Sequence, residues 1–282
     1  MAGAERKNPL KYLLWLLAGL FAVGWTAVAV SPYLYMVNTS LKSQGEFLSG
    51  NTFALPEAVS VSNYVTVLKG NFFQYLNNSV SVLVVSLALL LLISSCAAYP
   101  LSRMKFRLNR PIYSLIVAAM SVPIHIVLVP VFSMSVRAGI YDSIWALVGP
   151  YVAFNLPVSV FILTSFMQEI PKEIEESAEI DGCGKFRTFF RMIMPLSKSG
   201  LATLAIYNGV SMWNEFSFAM VLTQSQPNRT LPLAVWEYQG QYTLNIPLVM
   251  SVLMLSSIPI ILLYVFGQDK LIKGMMVGAV KG

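Results

Sequence analysis

Charge is what this sequence has least of. Only 11% of its 282 residues are Asp, Glu, Lys or Arg, against roughly 25% in an ordinary soluble domain. Hydrophobic residues make up 56%, more apolar surface than a water-soluble fold of this length could enclose. Histidine is nearly absent: His125 stands alone, and no second ligand recurs at helical spacing from it, so no metal cluster can be assembled. The two cysteines, Cys96 and Cys183, fall in segments of different character and imply no disulfide framework. No Gly-x-x-x-x-Gly-Lys-Ser/Thr phosphate loop occurs; Gly184-Lys185 is followed by Phe186 and lacks the upstream glycine. No catalytic residue and no cofactor can be assigned, and the chain is not expected to be an enzyme.

What is present is long apolar runs. They gather at about 12–37, 77–101, 111–135, 144–167, 199–222 and 246–267, each reaching the roughly 20 residues a helix needs to cross the hydrocarbon core. In lipid a backbone must satisfy its own hydrogen bonds, so runs this long and unalternating read as helices. The expectation is an all-α integral membrane protein with six transmembrane helices, kinked at Pro123 and Pro130 in the third, Pro150 and Pro157 in the fourth and Pro259 in the sixth. With both termini placed in the cytoplasm, 15 of the 19 basic residues fall on the inner side and only Lys42, Lys69, Arg137 and Arg229 on the outer. Topology therefore accounts for the net charge of +6, and a nucleic-acid partner gains nothing from it. The Ala27-Val28-Ala29 stretch resembles a signal-peptide cleavage site, but the apolar run continues through Pro32 to Met36, so the first helix is expected to stay.

The most informative polar segment is the inner loop 168–198. Pro171 suits a first helical turn, and Glu173, Glu175 and Glu176 put negative charge at the positive end of the helix dipole. Ile174, Ser177, Ala178 and Asp181 follow the spacing of one small, smooth face, and Gly182 occupies the natural stop. A second short helix is predicted over 185–194, with Phe186, Phe189 and Phe190 on its apolar side, until Pro195 turns the chain into the fifth membrane helix. Composition alone leaves open whether this is a docking surface or a solvated hairpin.

Here the sequence resembles the inner-membrane permease subunits of binding-protein-dependent ABC importers, in particular their carbohydrate branch. The family signature Glu-Ala-Ala, three residues, Gly, nine residues, Ile-x-Leu-Pro reads as Glu176-Ser177-Ala178, Gly182 and Met192-Ile193-Met194-Pro195. Ser177, Met192 and Met194 depart from the pattern by residues of similar size or polarity. Asn63-Tyr64, Asn78-Ser79, Ala97-Ala98-Tyr99, Leu101-Ser102-Arg103, Trp213-Asn214-Glu215-Phe216 and the closing Gly278-Ala279-Val280-Lys281-Gly282 extend the likeness over most of the chain.

The resemblance implies a type I ABC importer permease fold, with an N-terminal helix and outer loop over 1–70, a five-helix core over 71–267 and a cytoplasmic tail over 268–282. It places a coupling helix between helices 4 and 5. Glu175, Glu176, Ser177, Ala178, Asp181, Gly182 and Pro195 would then meet a cytoplasmic ATPase. The implied partners are a homologous second permease, two ATPase subunits that use ATP and Mg, an extracytoplasmic solute-binding protein and membrane lipid, with this chain binding no cofactor. The implied location is the plasma (inner) membrane, and the implied cargo a sugar or oligosaccharide. Another neutral or phosphorylated solute is an alternative within the class, and a proton-coupled secondary carrier an alternative outside it.

Within the apolar blocks Glu215 is the one acidic residue, costly in lipid unless paired, protonated or facing water. With Asn155 and Asn214 it is a solute-path candidate; the competing reading makes it internal glue that hydrogen-bonds neighbouring backbone. His125 is treated likewise.

Overall fold

The structure, a computed structural model, describes residues 9–238 and 244–279. Its regular elements are helical: α1 (Pro9–Ser40), α2 (Gln44–Ser49), α3 (Ser62–Lys69), α4 (Phe72–Arg103), α5 (Asn109–Ala119), α6 (Ile124–Arg137), α7 (Val148–Gln168), α8 (Glu173–Ile180), α9 (Lys185–Thr188), α10 (Met194–Leu196), α11 (Lys198–Trp213), α12 (Ser217–Leu222) and α13 (Ile246–Ala279). Short 3-10 segments precede α7 and occupy Leu231–Tyr238, and a π-helical turn covers Phe189–Ile193. The chain falls into two compact units, one holding residues up to Lys69 with Tyr238–Leu255, the other Gly70–Glu237 with the residues from Ser256 onward.

In the first unit, α1 is apolar on every side and exposed from Leu13 to Leu34. A helix with no polar face and no protein cover is at home in hydrocarbon rather than water. Its C-terminal end is pinned by side chains: Asn63 Nδ2 donates to the carbonyls of Ser40 and Lys42, both at 2.8 Å, and the Tyr64 and Ser40 hydroxyls meet at 2.6 Å. These bonds occupy carbonyls that the end of a helix leaves without partners.

In the second unit, α4 packs along α7 with α11 beside them. Ser86, Ser94 and Ser159 are buried there, where small side chains let membrane helices approach closely. Gly200 marks the tightest approach of α11 to α7: a Cβ there would sit 2.8 Å from the Phe166 ring. One core cluster joins Val82, Leu147, Tyr151, Met212, Phe218 and Leu233, and another joins Tyr99, Leu163, Met167, Phe189, Ile193 and Leu204.

Four helical segments are long and apolar enough to cross a membrane: Leu13–Ser40, Phe72–Arg103, Ile144–Gln168 and Ile246–Gln268. The third apolar block is bent far more sharply than a proline kink, and the fifth is broken where no kink was expected. The third is split between α5 and α6, which are bent by 97°. Pro123 stands at the start of α6 rather than inside a helix; it lacks an N–H and drives Val122 away from the helical region. The fifth is split between α11 and α12 at Asn214–Phe216, for a reason supplied by Glu215.

Candidate functional site

The inner loop builds its shape from backbone geometry. α8 begins with Glu173, Glu175 and Glu176 in its first turn; Pro171 lies outside it, ahead of the Lys172 cap. The helix ends where Gly182 N–H donates to Glu179 O at 3.0 Å and Cys183 N–H to Ala178 O at 2.8 Å. That pair of bonds is a Schellman closure, and it requires the left-handed backbone that Gly182 adopts at φ +77°. Ala178 is completely buried within the chain, so its lack of bulk serves the fit of α8 to its own protein. Glu176, Ser177, Asp181 and Gly182 remain exposed, and Ile180 is 87% exposed despite being apolar.

Glu175 is engaged from behind. Its Oε2 lies 3.3 Å from Arg103 Nε, with side chains 22% and 3% exposed respectively. Arg103 Nη2 donates to Ile170 O at 2.6 Å. The C-terminal end of α4 thus holds both the start of the loop and its first helix. Sequence reading placed Arg103 among the inner-side cations without seeing this role; its position at the very end of a membrane-length run was the available signal.

After the elbow the chain runs through α9 into the π-turn, closed by Met194 N–H to Phe189 O. Proline at 195 cannot donate, and its ring crowds the carbonyl four residues back. The widened turn directly ahead gives that carbonyl room. The three phenylalanines divide: Phe189 is buried with its ring 4.9 Å from Tyr99, whereas Phe186 is 79% exposed. Pro195 is itself exposed.

The intramembrane candidates are not gathered into one constellation. Glu215 accepts Phe218 N–H at 2.8 Å and Ala219 N–H at 3.2 Å, one on each carboxylate oxygen. It caps α12, satisfying two of the donors a helix start leaves open, and this is why the fifth block breaks there. Tyr151 lines the same small cavity as Glu215. Asn155 donates to Tyr151 O at 2.8 Å within α7, while its carbonyl accepts from Ser159, which in turn receives Asn208 Nδ2 at 3.0 Å. Asn214 bonds back to Val210 O at 2.9 Å and is otherwise exposed. His125 is exposed, and among the described residues no group of His, Cys, Asp or Glu is arranged to hold a metal.

Sequence reading missed the segment 226–238. It is tied to α4 by Asn78 Nδ2, which donates to Pro227 O and Arg229 O at 2.8 Å each, and by Ser79 Oγ, which accepts Leu231 N–H at 2.8 Å. Beside it, Asp142 Oδ1 accepts the amides of Gln224 and Ser225 at 2.8 and 2.9 Å. Desolvation opposes charge on Asp142, but these amides, with the Ser225 and Asn228 side chains, outweigh it and hold the carboxyl below its ordinary range.

The matches to known proteins agree with this architecture. Residues 90–277 match the family described as binding-protein-dependent transport system inner membrane component. An ABC transporter permease protein, ORF2, from Caldicellulosiruptor sp. (strain Rt8B.4) is 52% identical over 93% of this chain and 96% of its own. The sulfoquinovosyl glycerol transport system permease protein SmoH of Agrobacterium fabrum (strain C58 / ATCC 33970) is 32% identical over 89% and 88%. A crystal structure of a bacterial ABC transporter involved in import of the acidic polysaccharide alginate contains a chain of the same fold, with TM-score 0.76, 23% identity, and coverage of 95% of this chain and 99% of that one. With its all-helical fold, its membrane-length apolar helices and these relatives, the chain belongs to the inner-membrane permease components of binding-protein-dependent ABC importers, and is a permease rather than an enzyme.

Proposed function

We propose that this permease forms half of the transmembrane path for a sugar or oligosaccharide and is driven by a cytoplasmic ATPase through its 168–198 loop. The observation that carries this reading is the presentation of α8. Its inner side is anchored by Ala178 and by Arg103 with Glu175, its end is fixed by Gly182, and its outer side offers Glu176, Ile180 and Asp181. An apolar side chain left 87% exposed between two acids is a surface that fits a partner better than it fits water. A carbohydrate cargo is supported by relatives such as SmoH, named for a glycoside, and by the absence of Lys and Arg from the apolar cores of the six blocks.

In this reading the chain crosses the membrane six times with both termini in the cytoplasm, counting the α5–α6 and α11–α12 pairs as one crossing each. The first helix and outer loop (1–70) flank a five-helix core (71–267) that ends in an inner tail (268–282). A second permease completes the path, two ATPase subunits hydrolyse Mg-bound ATP, and a solute-binding protein delivers cargo from outside. Asn214 and Asn155 are the path candidates, while Glu215 serves first as the cap of α12. That engagement, together with the family assignment, disfavours a proton-relay carrier.

The test is uptake of a labelled oligosaccharide panel into vesicles containing the chain with its partner permease, ATPase and binding protein, native against Gly182→Asp. Uptake of one sugar class that needs ATP and disappears in an equally inserted variant is the expected result. Uptake that persists without the ATPase overturns the proposal.

A further inference from the structure

The short loop between α4 and α5 forms an open groove of about 800 Å³ that includes Lys105, Arg107 and Arg110. None of these three cations has a hydrogen-bond or ion-pair partner among the described residues, and no acidic side chain lines the groove. The loop is nevertheless well built. Asn109 Nδ2 donates to Leu101 O at 3.1 Å and Met104 O at 2.9 Å, closing the end of α4 and fixing the turn that carries the cations. The Arg110 backbone N–H, in the first turn of α5, also has no acceptor. Between the cations stand two exposed apolar side chains, Phe106 and Leu108.

We infer that this groove binds the phosphodiester headgroup of an anionic phospholipid. Three unpaired cations in one concavity create the positive potential that selects an anion. Their alternation with Phe106 and Leu108, directly beyond the end of the membrane-length α4, matches a site where headgroup meets acyl chain. A free inorganic phosphate would gain nothing from those apolar neighbours, and an acidic protein surface would leave them against charge. The inference goes beyond the transport reading. It uses the inward placement of this loop, but binding can be tested in detergent, where orientation plays no part and failure of one idea leaves the other standing.

The full chain, purified in detergent, is titrated with dioctanoyl phosphatidylglycerol, dioctanoyl phosphatidylcholine or inorganic phosphate, and bound lipid is read by native mass spectrometry. Phosphatidylglycerol is expected to bind in preference to phosphatidylcholine and to resist displacement by inorganic phosphate. The triple variant Lys105→Gln, Arg107→Gln, Arg110→Gln is expected to weaken that binding on the order of a hundredfold, from about 1 kcal/mol for each cation. The charge-matched Arg6→Gln, Lys7→Gln, Lys11→Gln variant should bind like the native chain. If the first triple does not fold, Arg107→Gln alone is expected to weaken binding about fivefold. Equal binding of the two lipids, displacement by inorganic phosphate at matched concentration, or undiminished binding in the groove variants overturns the inference.

Discussion

Arg103 and Glu175 lie 3.3 Å apart at the C-terminal end of α4, with the arginine side chain 3% exposed. They are separated by 72 positions in sequence, and their pairing makes the first helix of the 168–198 loop an extension of α4. A cation so deeply buried depends on this carboxylate, the Ile170 carbonyl and little else.

Removing either partner leaves the other desolvated. Arg103→Ala is expected to lower stability by about 2 kcal/mol, and Glu175→Gln by about 1 kcal/mol because the glutamine oxygen still accepts. The double variant should cost less than the two singles combined. Thermal melts of the four proteins check this; strict additivity would mean that the pair is not coupled.

Gly182 has open space around the position a Cβ would take, but its φ of +77° penalises any side chain. Gly182→Ala is therefore expected to cost about 1 kcal/mol of stability, and Gly182→Asn less. If transport falls far more than stability in Gly182→Ala, the missing part of the effect lies at the partner surface. Comparing melts with uptake per inserted molecule separates the two.

Glu215→Ala removes both acceptors at the start of α12 and is expected to destabilise by about 1–2 kcal/mol, with Glu215→Gln intermediate. For a residue that only caps, uptake per folded molecule stays near native in Glu215→Gln. A collapse of uptake without loss of stability would restore Glu215 to the solute path.

Asp142 gives a pH signature. Its carboxyl is held below the ordinary range by its amide and side-chain donors, against burial. The native carboxyl therefore releases its proton more readily than the unfolded one, so its contribution is present above the ordinary carboxylate range and disappears as pH falls through the depressed native value. Between about pH 5 and 3 the melting temperature of the native chain should fall more steeply than that of Asp142→Asn, which keeps one acceptor and tolerates the residue's φ of 56°. Parallel slopes in the two melting series would contradict the assignment.

Much of this fold was legible because lipid simplifies the code: a run of apolar residues long enough to cross must be helical. The stop at Gly182 was also legible, since few residues besides glycine take that conformation. Pro123 marked a kink in the third block, though not a bend of 97°; the break at 214–216 was not legible, because hydropathy continues smoothly while a side-chain cap redirects the backbone. Asn63 and Asn78 were noticed as parts of a family pattern. Their work, holding distant carbonyls, depends on contacts across 21 to 151 positions that no local spacing reveals. The inward burial of Ala178 was hidden for the same reason: one helical face looks alike whether it meets its own chain or another.

At one end of α4, Arg103 grips the inner loop; near the other, Asn78 and Ser79 grip the segment that begins at Pro227. The 25 residues from Ser79 to Arg103 are continuous helix, a rod of about 36 Å. In the transport reading proposed above, a tilt imposed on the loop-side tip of this rod would be carried to the peptide groups at its far end, with Pro100 as the one proline along the way.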